Sequence, residues 1–167
     1  RTVQAHELDL AEGLARQTKL TREVHHRDKN NRQEIASLIN FHARAAPSAD
    51  AIAAYASIQR RVDALAVVHR NHFAEMEDHR GISLRAVIGE LASNIRATSP
   101  EGSKLGIALE VEPFLVTQDN ATAIAFLLTE IIELAIGISP AAQVRLSVRE
   151  GDTATSAILR VSSPALI

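Results

Sequence analysis

Between Leu20 and His42 the apolar residues recur at three- and four-residue spacing. With Leu20 set at zero on a helical wheel that turns about 100° per residue, Val24, Ile35, Leu38, Ile39 and His42 share a stripe centred at about 60°. Leu8 and Leu14 lead into it with Gly13 as the only breaker, so the pattern predicts one long helix from Val3 to Ala45. Pro47 stops it. Ser48 is a good N-cap for a second helix through His72, in which Tyr55, Ile58, Val62, Leu65 and His69 repeat the spacing. Together they predict an antiparallel helical hairpin over residues 1–77, with Asp78 to Gly81 as a linker.

From residue 82 the character changes. Ser83 starts a third helix to Ala97, which Ser99-Pro100-Glu101-Gly102 ends. Leu105 to Val111 alternates as a strand, and Phe114 to Thr117 gives a short second one. Asp119 is placed to cap an almost wholly apolar helix to Ile138, and Val144–Arg149 and Ala154–Val161 alternate around Glu150-Gly151-Asp152 as a hairpin. Helix, two strands, helix, two strands predicts a two-layer α/β sandwich over 82–167, and the whole chain reads as α+β.

Composition narrows the function classes. The 167 residues are 46% hydrophobic, enough for one modest core plus a hairpin. A net charge of −2, one tyrosine and four phenylalanines argue against nucleic acid as a partner. The chain has no cysteine, which removes disulfides and thiolate metal sites and fits a cytoplasmic setting. Thr129, Glu130 and Glu133 interrupt the longest apolar run, Ala121 to Ile138, so no membrane contact is expected. The polar helical start without an initiator methionine predicts a fragment that has lost upstream sensory sequence, with no signal peptide.

The chemistry concentrates in His25-His26-Arg27-Asp28-Lys29-Asn30-Asn31-Arg32-Gln33. His26 falls at about 240° on the same wheel, opposite the apolar stripe, with Lys29, Asn30 and Gln33 around it. An imidazole is thereby presented to water beside an amide and a cation, an arrangement suited to a nucleophile that meets a large partner.

The segment L-x-x-E-x-H-H-R-x-K-N-N-x-Q-x-I-A-S-L, Leu20 to Leu38, resembles the phosphoacceptor helix of the HRxxN subfamily of sensor histidine kinases. The resemblance resumes at Arg61-Val62-Asp63-Ala64-Leu65-Ala66-Val67-Val68-His69, similar to that family's R-V-x-A-L-A-x-V-H, and continues weakly from Ile82-Ser83-Leu84 into the next helix. It implies that His26 is the phosphorylated residue, that Arg27, Lys29 and Asn30 form its setting, and that the sandwich corresponds to the ATP-binding domain. It also implies response-regulator receiver domains as partners and a homodimer through the hairpin.

The nucleotide motifs depart from that family. Where active kinases carry N-E-L-x-x-N-A, this chain has Thr129-Glu130-Ile131-Ile132-Glu133-Leu134-Ala135, so Leu134 replaces the amide that holds magnesium, Thr129 replaces the first amide, and of the polar positions only Glu130 is kept. The D-x-G-x-G motif aligns with Ser162-Ser163-Pro164-Ala165-Leu166, without its carboxylate and glycines, and no G-x-G occurs anywhere. The resemblance then implies a kinase-derived histidine phosphotransferase with no cofactor of its own, the receiver domain bringing the magnesium. Two other readings stay open: a fragment of an active HRxxN kinase, and a non-catalytic receiver-binding pseudokinase module.

Other polar residues take plainer readings. His69 and His72 are one turn apart without a third ligand and read as packed histidines rather than a metal site. Glu130 reads as a structural or inherited residue, and Arg60-Arg61 as a solvated face or part of a receiver contact. Asp28 and Arg32 fall on the apolar stripe, and Asp28, Arg32 and Glu34 stand where the resembled family is usually apolar. Charge there opposes a tightly packed bundle.

Overall fold

The computed structural model describes residues 2–45, 48–74, 81–99, 104–153 and 155–166, with the side chains of 2–10, 21, 25, 28, 73 and 74 outside that description. The elements run α1 (Thr2–Arg44), α2 (Ala49–Ala74), β1 (Ile82–Ser83), α3 (Leu84–Thr98), β2 (Gly106–Val111), β3 (Leu115–Val116), α4 (Gln118–Ile138), β4 (Gln143–Glu150), β5 (Ala157–Ser162) and a 3-10 turn at Pro164–Leu166. The mixed helical and sheet architecture is the expected α+β class. Pro47, the linker at 78–80 and the stop at Pro100-Glu101-Gly102 lie outside the described residues.

The chain divides into two compact units, Arg1–Gln59 and Arg60–Ile167. The division falls inside α2 and not at the linker, because the second half of α2 belongs to the core of the second unit: Ala64, Val67 and Val68 are fully buried there. The expected stripe of α2 differs accordingly. Val62, Leu65 and His69 are half-buried and Ile58 is exposed, while the deepest line runs through Ala64, Val67 and Val68.

In the first unit Ser48 starts α2 as predicted, its Oγ accepting from the Ala51 N–H at 3.2 Å. The rings of His42 and Tyr55 meet with centroids 6.3 Å apart.

In the second unit a three-stranded sheet has the order β2-β4-β5, and a two-stranded ribbon pairs β1 with β3. β2 runs parallel to β4, Gly106 beside Gln143 through Val111 beside Val148. β4 runs antiparallel to β5, Arg145 beside Ser162 through Glu150 beside Ala157. Val144, Leu146 and Val148 point to the core with Ile107, while the alternate residues face outward. α3 contributes Val87, Ile88, Leu91 and Ile95 to the same core, and α4 contributes Ala121, Ala125, Leu128, Ile132 and Ala135.

Several predicted boundaries move, each for a local reason. Thr117, not Asp119, caps α4: its backbone is extended and its Oγ1 accepts from the Asn120 N–H at 3.3 Å. Asp119 sits in the first turn, where its charge still favours the positive helix end. β5 begins at Ala157 because the turn before it is wide, with Gly151 N–H donating to Ser156 O at 2.9 Å and Thr153 N–H donating to Ser156 Oγ at 3.1 Å. By length and composition α4 is long and apolar enough to cross a membrane, contrary to the reading that its glutamates forbid it. A third of that apolar window is buried inside the protein, and Glu130 and Glu133 form ion pairs there.

Candidate functional site

His26, Arg27, Lys29 and Asn30 are all exposed on α1. A continuous helix sets their mutual placement: Asn30 follows His26 by one turn, and Glu23 precedes it by nearly one turn. The Arg27 guanidinium lies 3.8 Å from Glu23 Oε1, an open ion pair that holds little energy but fixes where the guanidinium spends its time. Downstream, Ser37 Oγ donates to Gln33 O at 2.8 Å. The site can offer a nucleophilic imidazole, flanked by cation and amide donors, to a partner that approaches from solvent.

Within a single chain the predicted stripe of α1 is largely open. Leu20, Val24, Ile35 and Leu38 are exposed, and Phe41 is 70% exposed. The less exposed line of α1 runs instead through Arg32, Ala36, Ile39 and Ala43. At about 100° per residue that line centres at about 130°, some 70° from the predicted stripe. Arg32 thus lies on the half-buried seam, Glu34 is exposed, and the Asp28 side chain lies outside the described residues.

The four residues predicted as a degenerate nucleotide site are scattered in role. Thr129 is 1% exposed, and its Oγ1 donates back to Ala125 O at 2.8 Å, turned into the core. Glu130 Oε1 accepts from Arg61 Nε at 2.6 Å. That hydrogen bond, reinforced by the charge of Arg61, holds the Glu130 carboxyl below its ordinary range and raises the Arg61 guanidinium. Leu134 is 59% exposed on the outer face of α4. Ser162 lines an open cleft of about 800 Å³ that includes none of the other three. Ser163, beside it, is buried, its Oγ accepting from the Ala165 N–H at 3.2 Å. A magnesium-bound triphosphate does not fit this set, since the one carboxylate is engaged by an arginine and the amide position holds an aliphatic side chain.

Sequence reasoning missed the partners of Arg60 and Arg61. Arg60 forms a two-pronged pair with Glu133, one prong at 3.2 Å from Nη2 to Oε2, and Arg61 pairs with Glu130. Arg70 Nε adds a third bond to Glu90 Oε1 at 2.8 Å, and Asn71 Nδ2 donates to Glu90 Oε2 at 2.9 Å. The signal was present as two arginines in one helix and two glutamates three positions apart in another. Nothing local in the sequence aligns them.

Comparison with known proteins gives a consistent result. Residues 23–99 match the family model described as histidine kinase. Sensor histidine kinase PdtaS of Mycobacterium tuberculosis is 29% identical over 115 residues, 69% of this chain and 23% of its own length. PdtaS of Mycolicibacterium smegmatis is 28% identical over the same extent. The chain therefore spans about a quarter of the length of the curated relatives it matches. Among solved structures, the histidine kinase domain from the Erythrobacter litoralis EL346 blue-light activated histidine kinase matches with a TM-score of 0.53 at 17% identity, over 80% of this chain and 71% of that one, a likeness of fold.

Proposed function

We propose that this chain, whose residues 23–99 match the histidine kinase family model, is a histidine-kinase-like two-component signalling domain that works as a histidine phosphotransferase. The observation that carries the reading is a contrast. His26 is open to a partner, while Thr129, Glu130 and Leu134 are committed to the core, to Arg61 and to an apolar surface.

In the proposed reaction a receiver domain presents an aspartyl phosphate. A ring nitrogen of neutral His26 attacks phosphorus, a P–N bond forms, the P–O bond to the aspartate breaks, and the carboxylate leaves with the electron pair. The ring proton on the other nitrogen is free to pass to water. Arg27, Lys29 and Asn30 supply donors to the phosphoryl oxygens, and the receiver's own magnesium balances charge on the leaving side. This chain then needs no cofactor, and its setting is cytoplasmic. A second copy is proposed to cover the open aliphatic face of α1 formed by Leu20, Val24, Ile35 and Leu38.

The test offers the protein radiolabelled ATP with magnesium in one arm and a pre-phosphorylated receiver domain in the other. Label from the receiver, acid-labile and alkali-stable, supports the phosphotransferase. Label from ATP replaces it with the kinase-fragment reading, and no label in either arm leaves the non-catalytic receiver-binding module.

A further inference from the structure

The outer face of the three-stranded sheet carries a four-residue block whose geometry is set by strand register alone. Arg145 lies beside Ser162, and Ser147 lies beside Arg160, across the antiparallel β4–β5 ladder. Val144, Leu146 and Val148 on β4 and Leu159 and Val161 on β5 point to the core, so Arg145, Ser147, Arg160 and Ser162 share the opposite face. The two arginines therefore occupy one diagonal of a square and the two serines the other. On a sheet such diagonal Cβ atoms are about 7 to 8 Å apart, within reach of one shared anion for side chains as long as arginine.

The other described arginines of the second unit are occupied. Arg60, Arg61 and Arg70 are paired with glutamates. Arg85 donates to Val111 O at 2.8 Å, and Arg96 donates to Ile107 O. Arg149, next on the same face of β4, lies 3.3 Å from Glu110. Among the described residues this leaves Arg145 and Arg160 without a carboxylate or carbonyl partner, and these are the two on the diagonal. Two guanidiniums held close on a rigid sheet repel each other, and a bound anion relieves that repulsion.

The block also adjoins a cavity. Arg145 and Ser162 line the open cleft of about 800 Å³, whose other walls include Ala108, Gln143, Pro164 and Leu166. The volume suits a small organic molecule, and the walls combine an apolar side with a cationic corner. Gly106 shapes the rim: the Gln143 side chain folds directly over its Cα, where a Cβ would collide, and Gln143 Nε2 donates to Lys104 O at 3.0 Å.

We propose that Arg145, Arg160, Ser147 and Ser162 form a binding site for a phosphomonoester, whose dianionic head sits on the arginine diagonal and whose organic body enters the adjoining cleft. A tetrahedral phosphoryl group has acceptors for two guanidinium forks and two hydroxyls, more than one carboxylate offers. The concave neighbour favours a small ester over a flat acidic protein surface.

The test titrates the isotope-labelled full chain with inorganic phosphate, with phenyl phosphate and with a poly-glutamate peptide, following backbone amide signals. A parallel arm sediments the protein with phosphatidylcholine vesicles that do or do not contain phosphatidic acid. Phenyl phosphate is expected to shift β4 and β5 amides and to bind more tightly than inorganic phosphate. Arg145→Gln and Arg160→Gln should each weaken it roughly tenfold, as expected for loss of a charge-assisted bond. Both positions are exposed, so the fold should survive, and unchanged signals from Leu128 and Ile132 would verify that. Sedimentation with phosphatidic acid that both substitutions abolish supports the same site with a lipid as the source of the ester. Binding that is indifferent to both arginines, shifts confined to other elements, or a response to poly-glutamate alone overturns the proposal.

Discussion

Arg61 and Glu130 stand 69 positions apart in the chain, yet their Nε and Oε1 atoms lie 2.6 Å apart. Glu130 is the one polar side chain that matches the kinase-type motif, and this bond ties α4 to α2.

The bond has a pH signature. The folded-state value of Glu130 is held below its ordinary 4.5, so its stabilising contribution is present above that value and is lost as pH falls through the lower folded value. Arg61, raised above its ordinary value, stays charged throughout that range. Glu130→Gln is therefore expected to lower the midpoint of thermal unfolding slightly near pH 7, and to change it less and less as pH falls below the ordinary carboxylate range. A wild-type minus variant difference in Tm that grows on acidification would refute this.

His26→Gln should abolish labelling by a phosphorylated receiver while leaving circular dichroism unchanged, because glutamine is a good helix former on an exposed face. Label that persists in the variant, or that passes to His25 in full yield, would remove His26 from its assigned role.

Calorimetric titration of ATP with magnesium is expected to give no saturable heat in the micromolar range. Restoring one amide by Leu134→Asn should not rescue it, since Glu130 stays engaged by Arg61 and Thr129 stays turned into the core. Tight binding by the unaltered chain would return the kinase reading to first place.

The two sides of α4 should respond very differently to truncation. Leu128 is fully buried, and Leu128→Ala is expected to cost about 2 to 5 kcal/mol through lost contacts and a residual cavity. Leu134 is mostly exposed, and Leu134→Ala should stay within about 0.5 kcal/mol. Urea unfolding of both variants measures the contrast, and equal costs would mean that the helix is rotated from its described position.

Introducing Val24→Glu with Leu38→Glu on the open face of α1 should weaken or abolish a dimer, while Arg32→Leu on the half-buried seam should leave assembly intact. Sedimentation across a concentration series distinguishes the two. If the glutamates have no effect and Arg32→Leu does, the interface follows the seam instead.

Much of this was legible in advance, and the failures share a cause. Ser48 and Ser83 announced their helices because a cap acts within three residues, and the hairpin of β4 and β5 was visible in local alternation. Thr117 was passed over for Asp119 because both have capping side chains, and the backbone angles that choose between them are set by β3 just before. The stripe of α1 is left open within one chain because hydrophobicity marks what a helix is able to bury, not what its own chain covers. Likewise Arg60 and Arg61 looked solvated, since pairing with Glu133 and Glu130 depends on how α2 and α4 meet.

The parallel pairing of β2 with β4 also governs the order of assembly. Val111 and Gln143 belong to neighbouring strands, but β3 and the whole of α4 intervene in sequence. No tight turn can zip such a pair, so the chain must close a long loop before the first ladder bond forms, whereas β4 and β5 need only a short one. The β4–β5 hairpin should therefore form early, with β2 docking only after α4 has found its bed. In the native state β2 is an edge strand like β5 but has no short turn tying it to β4, so it is the first of the three expected to release its amides to hydrogen exchange.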